Sequence, residues 1–250
     1  MTKEEFLIKK KKLKQEYKDK LYIEKSIYKR NKTKAEVDHI NPPKRSVLEE
    51  IGNSVTHGVG TIFSIVAFFL MWNASNRTID KLSTIIYSLG LFILFTMSCL
   101  YHSFRHGSKV KRLFRRFDYS SIYLLIGATF APILLSYVNN TFGTVFCIIQ
   151  WCVIAVGITF VAIYGPTKLR VLHMILYMAV GWSGLLFVPR MFNDNFGLFA
   201  FVLGGGVVYT LGIIPFALKK KCSHFIWHFF VLAGAITQWI GIYLYIYLTH

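Results

Sequence analysis

Apolar residues in this chain fall in long, nearly unbroken blocks separated by short polar stretches, except over the first 50 residues, where lysines and acids alternate with few apolar side chains. Seven blocks lie near 54–73, 82–102, 118–137, 142–164, 171–190, 196–218 and 224–247. Each reaches the roughly 20 residues that an α-helix needs to cross a hydrocarbon layer about 30 Å thick. The connectors are too short to fold as separate domains. The pattern therefore predicts an all-α protein: a basic tail over 1–50 and a seven-transmembrane helix bundle over 51–250. With 54% of its 250 residues apolar, the chain is not a soluble domain.

Charge orients the bundle. Loops on the cytoplasmic side carry the excess of Lys and Arg. With the N-terminus inside, the inner segments 1–53, 103–117, 165–170 and 219–223 hold 26 of the 29 Lys and Arg, leaving only Arg77, Lys81 and Arg190 outside. A cytoplasmic N-terminus and an external C-terminus are expected, in a plasma membrane. The same bias accounts for the net charge of +17, so no nucleic-acid partner is needed. The tail, with its run from Lys9 to Lys12, has no apolar core near its start and is not expected to be a cleavable signal peptide. It can touch anionic lipid headgroups, each basic residue adding about 1 kcal/mol, or it can be a solvated, partly helical tail that only enforces orientation. Four cysteines scattered over two spans and a loop imply free thiols rather than a disulfide framework.

Against this apolar background the ionisable residues stand out, because each is costly in lipid and is kept for a partner or a task. Ser98 and His102 are four apart, as are His224 and His228, so each pair shares a helix face. The expected topology ends the second span at His102, starts the third at Asp118 and starts the seventh at His224. All five residues then fall in the cytoplasmic third of the bundle. Neutral imidazoles suit zinc, and three protein ligands leave a fourth position open. His102, His224 and His228 are the expected ligands of a Zn²⁺ ion. Asp118 and Ser98 are expected as catalytic partners of water or substrate, although ligation by Asp118 stays open. Interfacial histidines that only hydrogen-bond near headgroups are the plainer alternative. His57, His173 and Cys222 are spare candidates for a fourth ligand, which would close the site and make it structural.

The stretches EEIGNSVTHGVG with Glu50, Asn53 and His57, SCLYHSFRH with Ser98 and His102, FDYSSIYLLIGATFAP with Asp118, and HFIWHFFVLAGA with His224 and His228 resemble the hemolysin III family. That family belongs to a wider group with the progestin and adipoQ receptors. The resemblance runs from about Glu49 to the end of the seventh span. It implies a seven-helix membrane protein with an inward N-terminus and a zinc held by His102, His224 and His228. It also implies that Asp118 and Ser98 serve a lipid amide hydrolase of the ceramidase kind, in membrane lipid homeostasis or, by the family's name, cytolysis. Tyr119 departs from the histidine that many relatives carry after the aspartate. Membrane lipids are accordingly the expected substrate or ligand, arriving sideways from the bilayer.

Other features read as packing. Asn53 is expected to cap the first span, and Glu49 and Glu50 to be solvated. Gly204, Gly205 and Gly206 permit close helix contact, and Pro132 and Pro215 are expected to kink their helices. Tyr243, Tyr245 and Tyr247 read as an outer interfacial belt. A near absence of charge beyond the cytoplasmic layer argues against ion transport.

Overall fold

A computed structural model describes residues 2–218 and 220–249, with the backbone alone over 32–40; Lys219, counted above among the inner cations, lies outside the described residues. The chain divides into two compact units, Met1–Pro42 and Pro43–His250.

The first unit is a single helix, α1 (Lys3–Ile40). Its Lys, Glu and Leu content favours helix. The start is closed by a reciprocal pair, the Thr2 amide donating to Glu5 Oε2 at 2.8 Å and the Glu5 amide to Thr2 Oγ1 at 3.2 Å.

The second unit holds, among the described residues, seven spans long and apolar enough to cross a membrane, and no strand. The first is α2 (Val47–Ala74), which starts at Ser46, whose hydroxyl accepts from the Glu49 amide at 3.2 Å. Asn53, expected as the cap, instead lies nearly two turns inside the helix with no exposed surface. The next spans are α3 (Thr78–Ser103) and α4 (Lys109–Ala131). Residues 109–117 are thus helix and not loop: Ser108 caps α4 by accepting from the Lys111 amide at 3.0 Å, so Asp118 sits in the third turn rather than at the start. Polar residues hid this extension, since apolar pattern marks where a helix enters lipid and not where it begins. Pro132, which cannot donate to the preceding turn, is met by a wider π-helical winding over Pro132–Val138, closed by Asn139 in the left-handed region at φ 42°.

After α5 (Thr141–Tyr164), the fifth span runs from Arg170 to Asp194 but is not one helix. It comprises α6 (Arg170–Trp182), a tight 3₁₀ segment Ser183–Phe187, and α7 (Val188–Asp194), where Pro189 offers no amide to continue the winding. Then follow α8 (Phe196–Ala217) and α9 (Ser223–Ile242), the latter extended by a π turn over Tyr243–Tyr247. Pro215 lies inside α8, in its last turn.

Consecutive helices α2, α3 and α4 pack side by side, α8 packs along α9, and α9 closes the ring against α2. Close approach of α8 and α9 depends on Gly205, where a Cβ would lie 3.0 Å from the Gly234 carbonyl oxygen. α6 rests on α4 and α5. Met71, Leu91, Leu94, Phe95 and Leu134 fill the middle of the bundle.

At the end of the bundle where α3 begins, a second polar layer appears, with Asp80, Ser83 and Ser136 buried and Arg77 at its edge, that the sequence pattern does not announce. Arg77 Nε and Nη2 donate to the two Asp80 carboxylate oxygens at 2.8 and 2.7 Å, and Nη2 donates also to the Ser136 carbonyl at 3.0 Å. The carboxylate keeps the Arg77 guanidinium above its ordinary pKa. Ser83 Oγ meets Ser136 Oγ and the Tyr247 hydroxyl, each at 2.7 Å. Tyr247 is 3% exposed and binds this layer, so the terminal tyrosines do not form a simple interfacial belt.

Candidate metal centre

The other end of the bundle collects the histidines. His102 comes from the last turn of α3, and His224 and His228 from the first two turns of α9. A tight turn aims the latter pair: Cys222 takes a left-handed φ of 62°, and Ser223 Oγ donates to the Leu218 and Lys220 carbonyls at 2.7 and 2.8 Å. One ligand nitrogen from each of the three rings lies within 4.8 Å of the others. His224 Nε2 is 3.4 Å from His102 Nε2 and 3.2 Å from His228 Nε2. Three nitrogens around zinc at about 2.0–2.1 Å would stand about 3.3 Å apart, so the two edges that meet at His224 have the length of edges of a zinc tetrahedron, and the third nitrogen pair lies within 4.8 Å.

Proton placement makes the same point. His102 Nδ1 lies 2.5 Å from Glu50 Oε2, which as a carboxylate can only accept, so Nδ1 carries the proton and Nε2 presents its lone pair to the other two rings. Lone pairs from three imidazoles aimed at one point repel each other unless protons or a cation stand between them. The donor set therefore fits a borderline-soft divalent cation.

Glu50 is the residue that sequence reasoning misplaced. Its second oxygen lies 3.0 Å from Lys111 Nζ, which is 1% exposed and donates also to the Phe104 carbonyl at 3.0 Å. Asn53 Nδ2 is 3.3 Å from His102 Nδ1. Glu49 is likewise not simply solvated, pairing with Arg45 at 3.8 Å. A carboxylate that fixes a ligand's tautomer and ring plane is a recurrent companion of metal sites. The readable signal was spacing: Glu50, Asn53 and His57 lie on one face of α2 at intervals of three and four.

The remaining candidates are distributed as follows. Ser98 and Asp118 line the cavity next to His224 and His228, with the Ser98 hydroxyl beside the Asp118 carboxylate. Among the described residues neither Asp118 nor any spare candidate joins the group of mutually close ligand atoms. His57 stacks its ring face on His228, centroids 3.8 Å apart, and among the described residues neither of its nitrogens has a side-chain hydrogen-bond partner. His173 pairs with the Tyr123 hydroxyl at 2.9 Å. Cys222 serves the turn.

The cavity leaves about 200 Å³ in which a water centre can move and is mostly apolar. It lies between α4 and α6 on one side and α8 and α9 on the other. Gly181 and Gly206 face open space in it. Two contacts cross between α6 and α8: Trp182 Nε1 donates to Thr210 Oγ1 at 3.2 Å, and the Arg170 guanidinium lies 5.1 Å from the Phe216 ring centre.

Seven spans, a histidine cluster at one end and an apolar cavity beside it define a multi-pass membrane protein with a site buried among its helices. Residues 45–239 match the Haemolysin-III related family, and the chain belongs to it. It is 32% identical to Hemolysin-3 of Bacillus cereus over 80% of this chain and 93% of the relative. Against the Hemolysin-3 homolog of Bacillus subtilis (strain 168) it is 33% identical over 80% of this chain and 95% of the relative. The human Monocyte to macrophage differentiation factor is 31% identical over 82% of this chain and 87% of its own length.

Proposed function

We propose that the protein is a zinc-dependent hydrolase of lipid amide or ester bonds, working at the inner leaflet of the membrane. The observation that carries this reading is the convergence of three imidazole nitrogens within 4.8 Å of one another beside a serine, an aspartate and an apolar cavity. The inner-leaflet placement is supported by the charge bias, 26 of 29 Lys and Arg falling to that side.

In this reading His102, His224 and His228 hold the ion. Zinc supplies Lewis acidity, acidifying water and polarising a carbonyl. Glu50 keeps His102 in the tautomer that presents Nε2, and Lys111 holds Glu50. Asp118 takes a proton at its carboxylate and returns it to the leaving nitrogen or oxygen. The Ser98 hydroxyl donates to negative charge developing on the carbonyl oxygen. The cavity takes acyl chain and excludes bulk water, and an amphiphile enters it sideways from the bilayer.

The test is to purify the protein, measure bound zinc and follow hydrolysis of a panel of lipid amides and esters. Asp118→Asn keeps the metal and loses about 10²–10⁴-fold in turnover, the usual contribution of a positioned acid or base. Full zinc occupancy with no hydrolysis across the panel would replace this reading by a metal-stabilised receptor. A cytolytic pore is the less supported alternative, since an apolar layer of Leu91, Leu94 and Phe95 separates the two polar ends.

A further inference from the structure

The cavity is apolar except near its histidine end, and two of its polar groups take no part in the chemistry above. Arg170, the first residue of α6, lines it with an exposed side chain. Among the described residues no carboxylate forms an ion pair with Arg170; its guanidinium rests on Phe216 at 5.1 Å. One turn further along α6, on the same face, His173 lines the same cavity and is 1% exposed. Its Nδ1 is engaged by the Tyr123 hydroxyl at 2.9 Å, while Nε2 is buried without a partner among the described residues. With Tyr123 donating to Nδ1, the proton resides on Nε2, an unused donor on a ring that lines the cavity.

A guanidinium with no acid and a buried imidazole with an unused nitrogen, one helical turn apart on an apolar wall, form a receptor lacking its anion. The distance to the metal centre is short. Phe216 stands between the two, 6.2 Å from the His224 ring centre, so Arg170 lies within the sum of these two contacts from the ligand ring. A headgroup in which phosphate sits a few bonds from an acyl linkage spans such a separation, with its chain in the cavity.

We infer that Arg170 and His173 form an anion subsite at the cavity rim that recognises the phosphate of an amphiphile, so that the lipid taken here is a phospholipid or phosphosphingolipid rather than a neutral acylated lipid. Anion binding is independent of the proposed hydrolysis; only the identity of the substrate rests on that reading. Arg170 contributes the charge and a two-pronged donor, which matches phosphate geometry. His173 contributes one short-range donor and fixes orientation. The Phe216 ring holds the guanidinium at the rim, where it meets a headgroup before the chain has fully entered.

The experiment measures binding by quenching of tryptophan fluorescence, since Trp182 and Trp227 line the cavity. Full-length protein in neutral maltoside micelles is titrated with dodecyl phosphate, 1-O-dodecylglycerol and inorganic phosphate, both as purified and after chelator treatment, which removes any contribution of a metal to phosphate binding. Dodecyl phosphate is expected to bind about tenfold tighter than the neutral ether in both preparations, as one charge-assisted contact provides. Arg170→Gln should bring the two ligands within about twofold of each other while leaving the ether's affinity unchanged, and Arg170→Lys should retain part of the preference. Added salt should weaken the preference, because the rim is open to water. Equal binding of phosphate and ether by the wild type, or a preference that survives Arg170→Gln, overturns the subsite. Inorganic phosphate binding as tightly as dodecyl phosphate would overturn the amphiphile in favour of a free-phosphate site. Because Arg170 is exposed, its substitution does not threaten folding. Loss of hydrolysis with the phosphate preference intact would count against the zinc-hydrolase reading alone.

Discussion

The two ends of the bundle each bury a polar layer, and the layers differ in one respect. Around Arg77, Asp80, Ser83, Ser136 and Tyr247 every side-chain group named meets a protein partner, tying α3, the π turn of α4 and the end of α9 together. Around His102, His224 and His228 three nitrogens crowd together and His102 presents a lone pair to the other two, while, among the described residues, a nitrogen of His228 and both nitrogens of the stacked His57 are buried without a hydrogen-bond partner. Burial of polar groups is costly in both places; the first layer offsets the cost among the groups named, whereas the histidine layer does so only in part, through Glu50 and Lys111. A closed network stabilises the fold; an open one is completed by something from outside. That difference separates the candidate site from a structural polar layer more reliably than the presence of charge, since both layers contain it.

Substitutions should therefore sort by readout. The largest effect is expected at the open layer: His102→Ala or His228→Ala brings the metal content of purified protein, measured by elemental analysis, to background. Retention of stoichiometric metal would mean that the layer is closed after all. Glu50→Gln should weaken metal affinity about 10- to 100-fold in a competition titration, because the His102 ring loses the group that sets its tautomer and Lys111 loses its charge partner. At the closed layer the change is one of stability. Asp80→Ala leaves Arg77 and its neighbours short of acceptors and should cost about 2 kcal/mol in reversible denaturation, with metal content unaltered. Tyr247→Phe removes one hydroxyl from the same network and should cost about 1 kcal/mol, again without effect on metal. A drop in metal content for either of the last two would show that the two ends are coupled and erase the distinction.

Much of this was legible in the chain because lipid imposes a simple rule. A span must be about 20 apolar residues long, and an ionisable residue inside it is an exception that draws notice. Four-residue spacing put Ser98 with His102 and His224 with His228 on single faces, and counting turns from each membrane edge put both pairs in one layer. The helix starts were harder. Residues 109–117 are polar, yet Ser108 caps them into α4, and Ser46 rather than Asn53 begins α2. A polar helical turn and a polar loop look alike in composition, and capping geometry decides between them.

What the sequence determined by itself is the number of spans, the membrane setting and the membership of the histidine layer, since hydropathy length and helical periodicity are properties of one segment at a time. Tertiary structure alone decided which groups have partners. Glu50 reaches His102 across 52 positions, Lys111 is drawn beneath it, and Tyr247 reaches Ser83 across 164. It also opened the cavity between α4 and α6 on one side and α8 and α9 on the other, and left Arg170 on its wall with no ion pair to a carboxylate among the described residues. Pairing depends on distance between helices, and that is set by how the whole ring of spans closes, which no single segment encodes.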